Sequence, residues 1–221
     1  MGTLEMNAVQ LIAAGGPLMW PILLCSVFSL GIIIERLSFF SSIKTNTYEL
    51  KNKVFELIKR NELKEAMVLC EANRSPVAKI FKAGIAKFGS SREEIKEAMS
   101  DMSLFEIPNL EKRLTALATM AHTIPLLGLL GTVLGMANSF YGMQFRSTTM
   151  APATPADLAS GIWQALLTTI AALVVTIPTM VAYNYCVSQA NRFIADMERG
   201  ATELVNFISQ ITETDSHKEH N

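Results

Sequence analysis

Charge is what this sequence has least of. Only 18% of its 221 residues are Asp, Glu, Lys or Arg, the formal net charge is -1, and 50% are hydrophobic. Scarce charge beside abundant apolar residues argues against an ordinary soluble domain. The same composition excludes a disordered chain, which needs low hydrophobicity and high net charge. A net charge near zero gives no general attraction to nucleic acid. Cysteine is also scarce: Cys25, Cys70 and Cys186 are far apart and form no CxxC or Cys/His spacing. This excludes a thiolate zinc site and a disulfide framework, and leaves three free thiols. Residues 1–17 hold no Lys or Arg, so the first apolar run lacks the basic n-region of a cleaved signal peptide and reads as a retained span.

What is abundant is the uncharged run. Gly15–Ile34 is one, Leu114–Phe145 a second and Leu158–Asn191 a third, each without a single Asp, Glu, Lys or Arg. A bilayer core of about 30 Å needs roughly 20 apolar residues of helix. All three qualify, and the last two project beyond it. Fifteen of the nineteen basic residues fall in 36–113, none in 1–17 and one, Arg146, in 146–157. Basic residues stay on the cytoplasmic side. The expected class is therefore all-α, a three-span protein whose long helices extend into a cytoplasmic helical domain. Its expected segments are a periplasmic N-terminal interfacial piece (1–14), span 1 (15–35), a cytoplasmic helical domain (36–113), span 2 (114–145), a periplasmic loop (146–157), span 3 (158–191) and a cytoplasmic tail (192–221).

Local signals refine the picture. Residues 3–14 are expected as a short interfacial helix with Leu4, Ala8, Leu11 and Ile12 on one side, with an unstructured tail as the alternative. Asn61 marks a corner in the helical stretch Thr47–Glu71. Ser75-Pro76 opens a helix that Gly89 ends. Ser91 with Glu94 fits a capping box, and the helix begun there runs toward span 2 with Pro108 as a bend or break. Thr154-Pro155-Ala156-Asp157 opens span 3, and the polar tail after Gln210 frays. The charged residues between spans read as solvated helix faces. No catalytic constellation, metal-ligand cluster or cofactor motif stands out among them.

Inside the spans the ionisable inventory is almost empty. His122 alone stands there, near the inner interface, with Glu35 and Arg36 at the inner end of span 1. A proton relay needs titratable groups in the membrane, and this chain supplies none at its centre. It supplies hydroxyls and amides instead: Thr132, Asn138, Gln164, Thr168, Thr169, Thr176 and Asn184. Small residues accompany them. Gly128, Gly131 and Gly135 line one face of span 2, and Gly161, Ala165, Thr169, Ala172 and Thr176 form a stripe in span 3. Such residues let membrane helices approach closely. A threonine there bonds back to its own helix unless function claims it; Thr132 and Thr169, each on a small-residue face, are the functional candidates. Pro125 and Pro178 interrupt the long spans and read as hinge candidates or static kinks.

The runs LTALATMAHTIPLLGLLGTVLGMANSF (114–140) and PADLASGIWQALLTTIAALVVTIPTMVAYNY (155–185) resemble the last two spans of the MotA/TolQ/ExbB proton channel family. GGPLMWPILLCSVFSLGIIIERLSFF (15–40) resembles its first span, with Glu35-Arg36 at the matching place. Three spans rather than four are similar to the ExbB/TolQ branch. The resemblance implies an inner-membrane homopentamer around a single-span ExbD/TolR-like partner that brings a membrane aspartate, with a TonB/TolA-like protein as a further partner. It implies a stator that turns proton-motive force into mechanical work, not an enzyme. The family's pathway threonines match Thr132 and Thr169, and its prolines match Pro125 and Pro178. The stripe carrying Thr169 is then expected to line a partner-facing wall of Gly128, Gly131, Gly135, Gly161, Ala165, Ala172 and Thr176. Two positions depart from the pattern: a glutamate frequent in this branch is Gln164, and a glycine common after the last-span threonine is Ala172. A passive membrane scaffold is the competing reading. Proton and sodium, and import, envelope maintenance and gliding, stay open as alternatives.

Overall fold

The computed structural model describes residues 8–43, 47–148 and 155–219. The regular structure among them is helical: α1 Ala8–Ala14, α2 Met19–Ile43, α3 Thr47–Lys59, α4 Leu63–Ala72, α5 Pro76–Ala86, α6 Arg92–Glu111, α7 Leu114–Thr148 and α8 Pro155–Glu219. Stretches of α2, α7 and α8 are long and apolar enough to cross a membrane. Residues 1–7 of the expected interfacial segment, and Thr154 of the expected cap on span 3, lie outside the described residues.

Turn chemistry sets the helix ends in the 36–112 stretch. Asn61 takes a left-handed φ of 60° between α3 and α4, a conformation asparagine tolerates better than most residues. Ser75 caps α5 by accepting the Ala78 N–H, with Pro76 in the first turn. Ser91 caps α6 by accepting the Glu94 N–H, and its hydroxyl donates to the Glu94 carboxylate at 3.2 Å. Pro108 does not break α6. The break falls at Lys112–Arg113, where Arg113 turns to φ 63° before α7 begins. The tail expected to fray continues as helix, since α8 runs without interruption to Glu219.

The chain divides into two compact units: 1–35 with 113–184, and 36–112 with 185–221. In the first, α2 packs against α7 and α8 through a small apolar cluster of Ile22, Ile124 and Ala172, with Cys25, Met120, Leu127 and Val175 around it. Much of its remaining apolar surface is bare: Trp20, Val27, Phe28, Leu126, Phe140, Leu166, Val174 and Val181 are all exposed. Apolar side chains facing outward on every helix suit a bilayer and not water.

The second unit has an ordinary core. Val54, Ile58, Phe81, Ile95, Met99, Leu204 and Ile208 are buried. Phe55 stacks on Phe207 with ring centroids 4.4 Å apart, and Phe40 on Phe193 at 6.1 Å. Lys51 donates to Glu203 at 2.7 Å, and Arg92 to the Asn206 side chain at 2.7 Å. The stretch of α8 from Phe193 to Ile208 is thus a core element of this unit.

Candidate functional site

The site is best built from the seam between α7 and α8. On α7, Leu117, Ala121, Ile124, Gly128, Gly131, Gly135 and Ser139 are buried; on α8, Gly161, Ala165, Thr168, Ala172, Thr176 and Thr179. Alternating three- and four-residue spacings put each set on one stripe. The stripes meet in antiparallel order. A methyl group on Gly128 would lie 2.6 Å from Ala172 Cβ, on Gly131 2.6 Å from Thr168 Cγ2, and on Gly135 2.9 Å from both Ala165 Cβ and the Gly161 carbonyl. The last contact is with backbone, so the helices approach at that level because neither residue has a Cβ.

This gives the small residues an occupant within the chain. Gly128, Gly131, Gly135, Gly161, Ala165 and Ala172, expected to face a partner, are closed on one another between two helices of a single subunit. Thr176 is buried beside them and donates to the Ala172 carbonyl at 2.8 Å. A stripe of small residues signals close approach, and here the neighbour is the chain's own next helix.

The two candidate threonines sit at the edge of this seam. Thr169 Oγ1 donates across it to the Gly128 carbonyl at 3.1 Å, and more weakly to Ala165 at 3.4 Å on its own helix. In a helix the Gly128 carbonyl also accepts the Thr132 N–H one turn on, so the two threonines meet at the same carbonyl. Thr132 Oγ1 donates to Leu129 O at 2.7 Å. Each threonine follows a seam position by one residue (Gly131, Thr168), and in an antiparallel pair those places share one flank. The helix α2 covers the other flank, with Cys25 near Met120 and Leu127. Thr132 and Thr169 are both half-buried, on the flank α2 leaves open.

Gln164 faces the opposite way. Its amide packs against Gly16, whose φ of 77° and missing Cβ make room for it. Thr168 Oγ1 donates to the Gly15 carbonyl at 3.0 Å and to Gln164 O at 2.8 Å. The Gly15-Gly16 turn before α2 is therefore tied to α8, a role the sequence reading did not assign. An acid in place of Gln164 would meet that turn rather than the threonines.

The other candidates are placed as follows. Pro125 is half-buried inside α7 and Pro178 exposed inside α8, and both helices continue through them. His122 Nδ1 is 2.7 Å from the Ala118 carbonyl, a bond to its own helix. Glu35 pairs with Arg113 at 2.8 Å, while Arg36 is 3% exposed, donates to Asn109 O at 3.4 Å and lies over the Phe39 ring. Among the described residues no cluster of His, Cys, Asp and Glu could hold a metal ion.

Three apolar helices, a hydroxyl-edged seam and no carboxylate within it define a multi-pass helical membrane protein built around helix packing. Residues 72–199 match the MotA/TolQ/ExbB proton channel family. The chain is 35% identical over 171 residues to the biopolymer transport protein ExbB-like 3 of Synechocystis, covering 77% of this chain and 80% of that one. It is 30% identical over 179 residues to the biopolymer transport protein ExbB of Salmonella typhimurium (70% and 71%), and 37% identical over 121 residues to the Tol-Pal system protein TolQ of Pseudomonas aeruginosa (50% and 51%). The chain belongs to the MotA/TolQ/ExbB proton channel family, in its ExbB/TolQ-like branch, a family of inner-membrane channel and transport proteins.

Proposed function

We propose that this chain is the stator subunit of a proton-driven inner-membrane motor, a homopentamer enclosing a single-span ExbD/TolR-like partner. The observation that carries this reading is the flank bearing Thr132 and Thr169. It holds two hydroxyls at the edge of a membrane seam, on the side the chain's own first span leaves open, and the uncharged runs around it contain no titratable carboxylate. Such a wall can pass a proton to and from a carboxylate but cannot hold the charge itself. The partner's membrane aspartate supplies that group. The partner-facing surface is then the threonine flank beside the seam, with the seam as its rigid backing. One charge crossing the membrane yields about 2.3 kcal/mol per 100 mV, enough to bias a stepwise shift of packed helices. A TonB/TolA-like protein would carry the work outward through the partner.

Thr169→Val tests this in the complex reconstituted into vesicles with its partner. The variant keeps shape and deletes the donor. A membrane hydrogen bond averages about 0.6 kcal/mol, so assembly persists, while proton flux is lost. Flux at the native level in an assembled Thr169→Val complex would reduce the hydroxyl to packing, and absence of flux in the native complex would favour the passive scaffold. For orientation, an N-terminus outside and 36–113 inside require that a cysteine at Ser100, exposed on α6, escape an impermeant thiol reagent applied to intact cells. A cysteine at Ser147, in the last turn of α7 and within the segment expected outside, should react. The reverse pattern would invert the topology.

A further inference from the structure

A cleft of about 810 Å³ lies within the 36–112 unit, lined by Arg36, Arg74, Lys79, Lys82 and Lys112 against only two acids, Glu71 and Glu106. The acids are already engaged. Lys79 holds Glu106 at 2.8 Å and Lys82 holds Glu71. Glu106 is 4% exposed, so that pair is fixed and its charge locally neutralised. Beside these two pairs stand a buried arginine and two exposed cations. Arg36 is buried, its head steadied by the Asn109 carbonyl and the Phe39 ring. The Arg74 and Lys112 side chains are exposed and have no ion pair or hydrogen bond among the described residues. Two unpaired cations beside a buried, oriented guanidinium form an anion site with a polar and an apolar wall, the latter from Phe39 and Leu110.

Its place along the chain says which anion. Arg36 stands two residues after the apolar run ending at Ile34, and Lys112 two residues before the run starting at Leu114. These two lining residues therefore stand next to the ends of membrane-spanning runs, where basic pockets meet lipid headgroups. Guanidinium and ammonium together match a phosphodiester, the former by paired N–H donors and the latter as a point charge. The geometry points to an anionic phospholipid headgroup bound in this cleft through its phosphate.

The full chain, delipidated in detergent, is titrated with dioleoyl phosphatidylglycerol and with dioleoyl phosphatidylcholine and read by native mass spectrometry. Phosphatidylglycerol should bind and phosphatidylcholine should not. At about a fivefold gain per surface cation, the Arg74→Gln/Lys112→Gln pair should weaken phosphatidylglycerol roughly twenty-five-fold. The charge-keeping pair Arg74→Lys/Lys112→Arg should retain it. Equal binding of the two lipids, equal binding by the native chain and the glutamine pair, or loss in both pairs would overturn the site. Displacement of the lipid by an equal concentration of inorganic phosphate would assign the cleft to a soluble anion and overturn the lipid. None of these readouts depends on proton flux, so the outcome is independent of the motor reading.

Discussion

The two units of this chain close their interiors by opposite means. In 36–112 with 185–221, the buried side chains are large: Phe81, Ile58, Ile95, Met99, Leu204 and Ile208. In 1–35 with 113–184, the seam beyond Leu117 and Ile124 is glycine, alanine, serine and threonine, while many leucines, valines and phenylalanines are turned outward. Water explains the first pattern, because burying large apolar groups is the main favourable term there. A lipid-facing leucine gains nothing of that kind by moving inward, so membrane helices associate through close approach and hydrogen bonds. The same chain therefore carries two grammars, and residue size reads inversely in each.

The sharpest way to break the comparison is to delete a large group from the aqueous core. Phe81 is fully buried and packs on Phe55 and against Gly200. Phe81→Ala should cost about 3–5 kcal/mol, measured by denaturant unfolding followed through the second unit. Phe140→Ala, on an exposed face of α7, should cost far less in detergent or lipid. Equal losses would mean that Phe140 also packs against protein in the assembled state.

The next effect is one of pH. Cys70 is buried in the second unit, and burial pushes its thiol from 9.0 up to about 11. The folded state thus holds the proton more tightly than the unfolded one. Its stability is full below about pH 9 and falls as pH rises toward 11, by about 2–3 kcal/mol at the upper end. Unfolding midpoints of the native chain and of Cys70→Ala, compared at pH 8 and pH 11, check this: the variant's curve should be flatter. The same burial makes Cys70 a poor probe of sidedness, since a reagent fails to reach it from either face.

In the membrane unit the corresponding change is an addition. Gly135→Ala puts a methyl group 2.9 Å from the Gly161 carbonyl and 2.9 Å from Ala165 Cβ, and overpacking of this kind costs about 1–3 kcal/mol. Gly142, with open space around its Cβ position, should accept alanine without loss. Melting of the purified subunit distinguishes them. If Gly135→Ala melts like Gly142→Ala, the seam is looser than its contacts indicate.

How far the sequence could be read follows the range of each signal. Ser75 and Ser91 act within three residues, so their caps were legible, as was the corner at Asn61. Three spans were legible because bilayer thickness fixes run length. The α6–α7 break was misplaced, because Pro108 draws attention while the turn comes from Arg113, a residue with no intrinsic preference for positive φ. Thr132 and Thr169 could be singled out as candidates, but what the small residues pack against could not be read: periodicity shows which residues share a face and is silent on what covers it. Gly15-Gly16 carried a turn signal, yet its bond to Thr168 spans 153 positions, beyond any local pattern.

The smallest effects come from deleting one hydroxyl in each grammar. Ser91 accepts the Glu94 N–H at a helix start in the aqueous unit, a donor with no other helical partner. Ser91→Ala should cost about 1 kcal/mol. Thr132 donates to Leu129 O, a carbonyl whose helical bond is already in place. Thr132→Val leaves no group of the helix unsatisfied and should cost about 0.6 kcal/mol or less. Thermal melts of the two variants beside the native chain measure both. The stability order Ser91→Ala below Thr132→Val, with proton flux reduced only in the second, would separate a hydroxyl kept for folding from one kept for transport. A Thr132→Val chain that melts much lower than Ser91→Ala would show instead that the hydroxyl braces the seam, and its place on the open flank would then be a matter of packing.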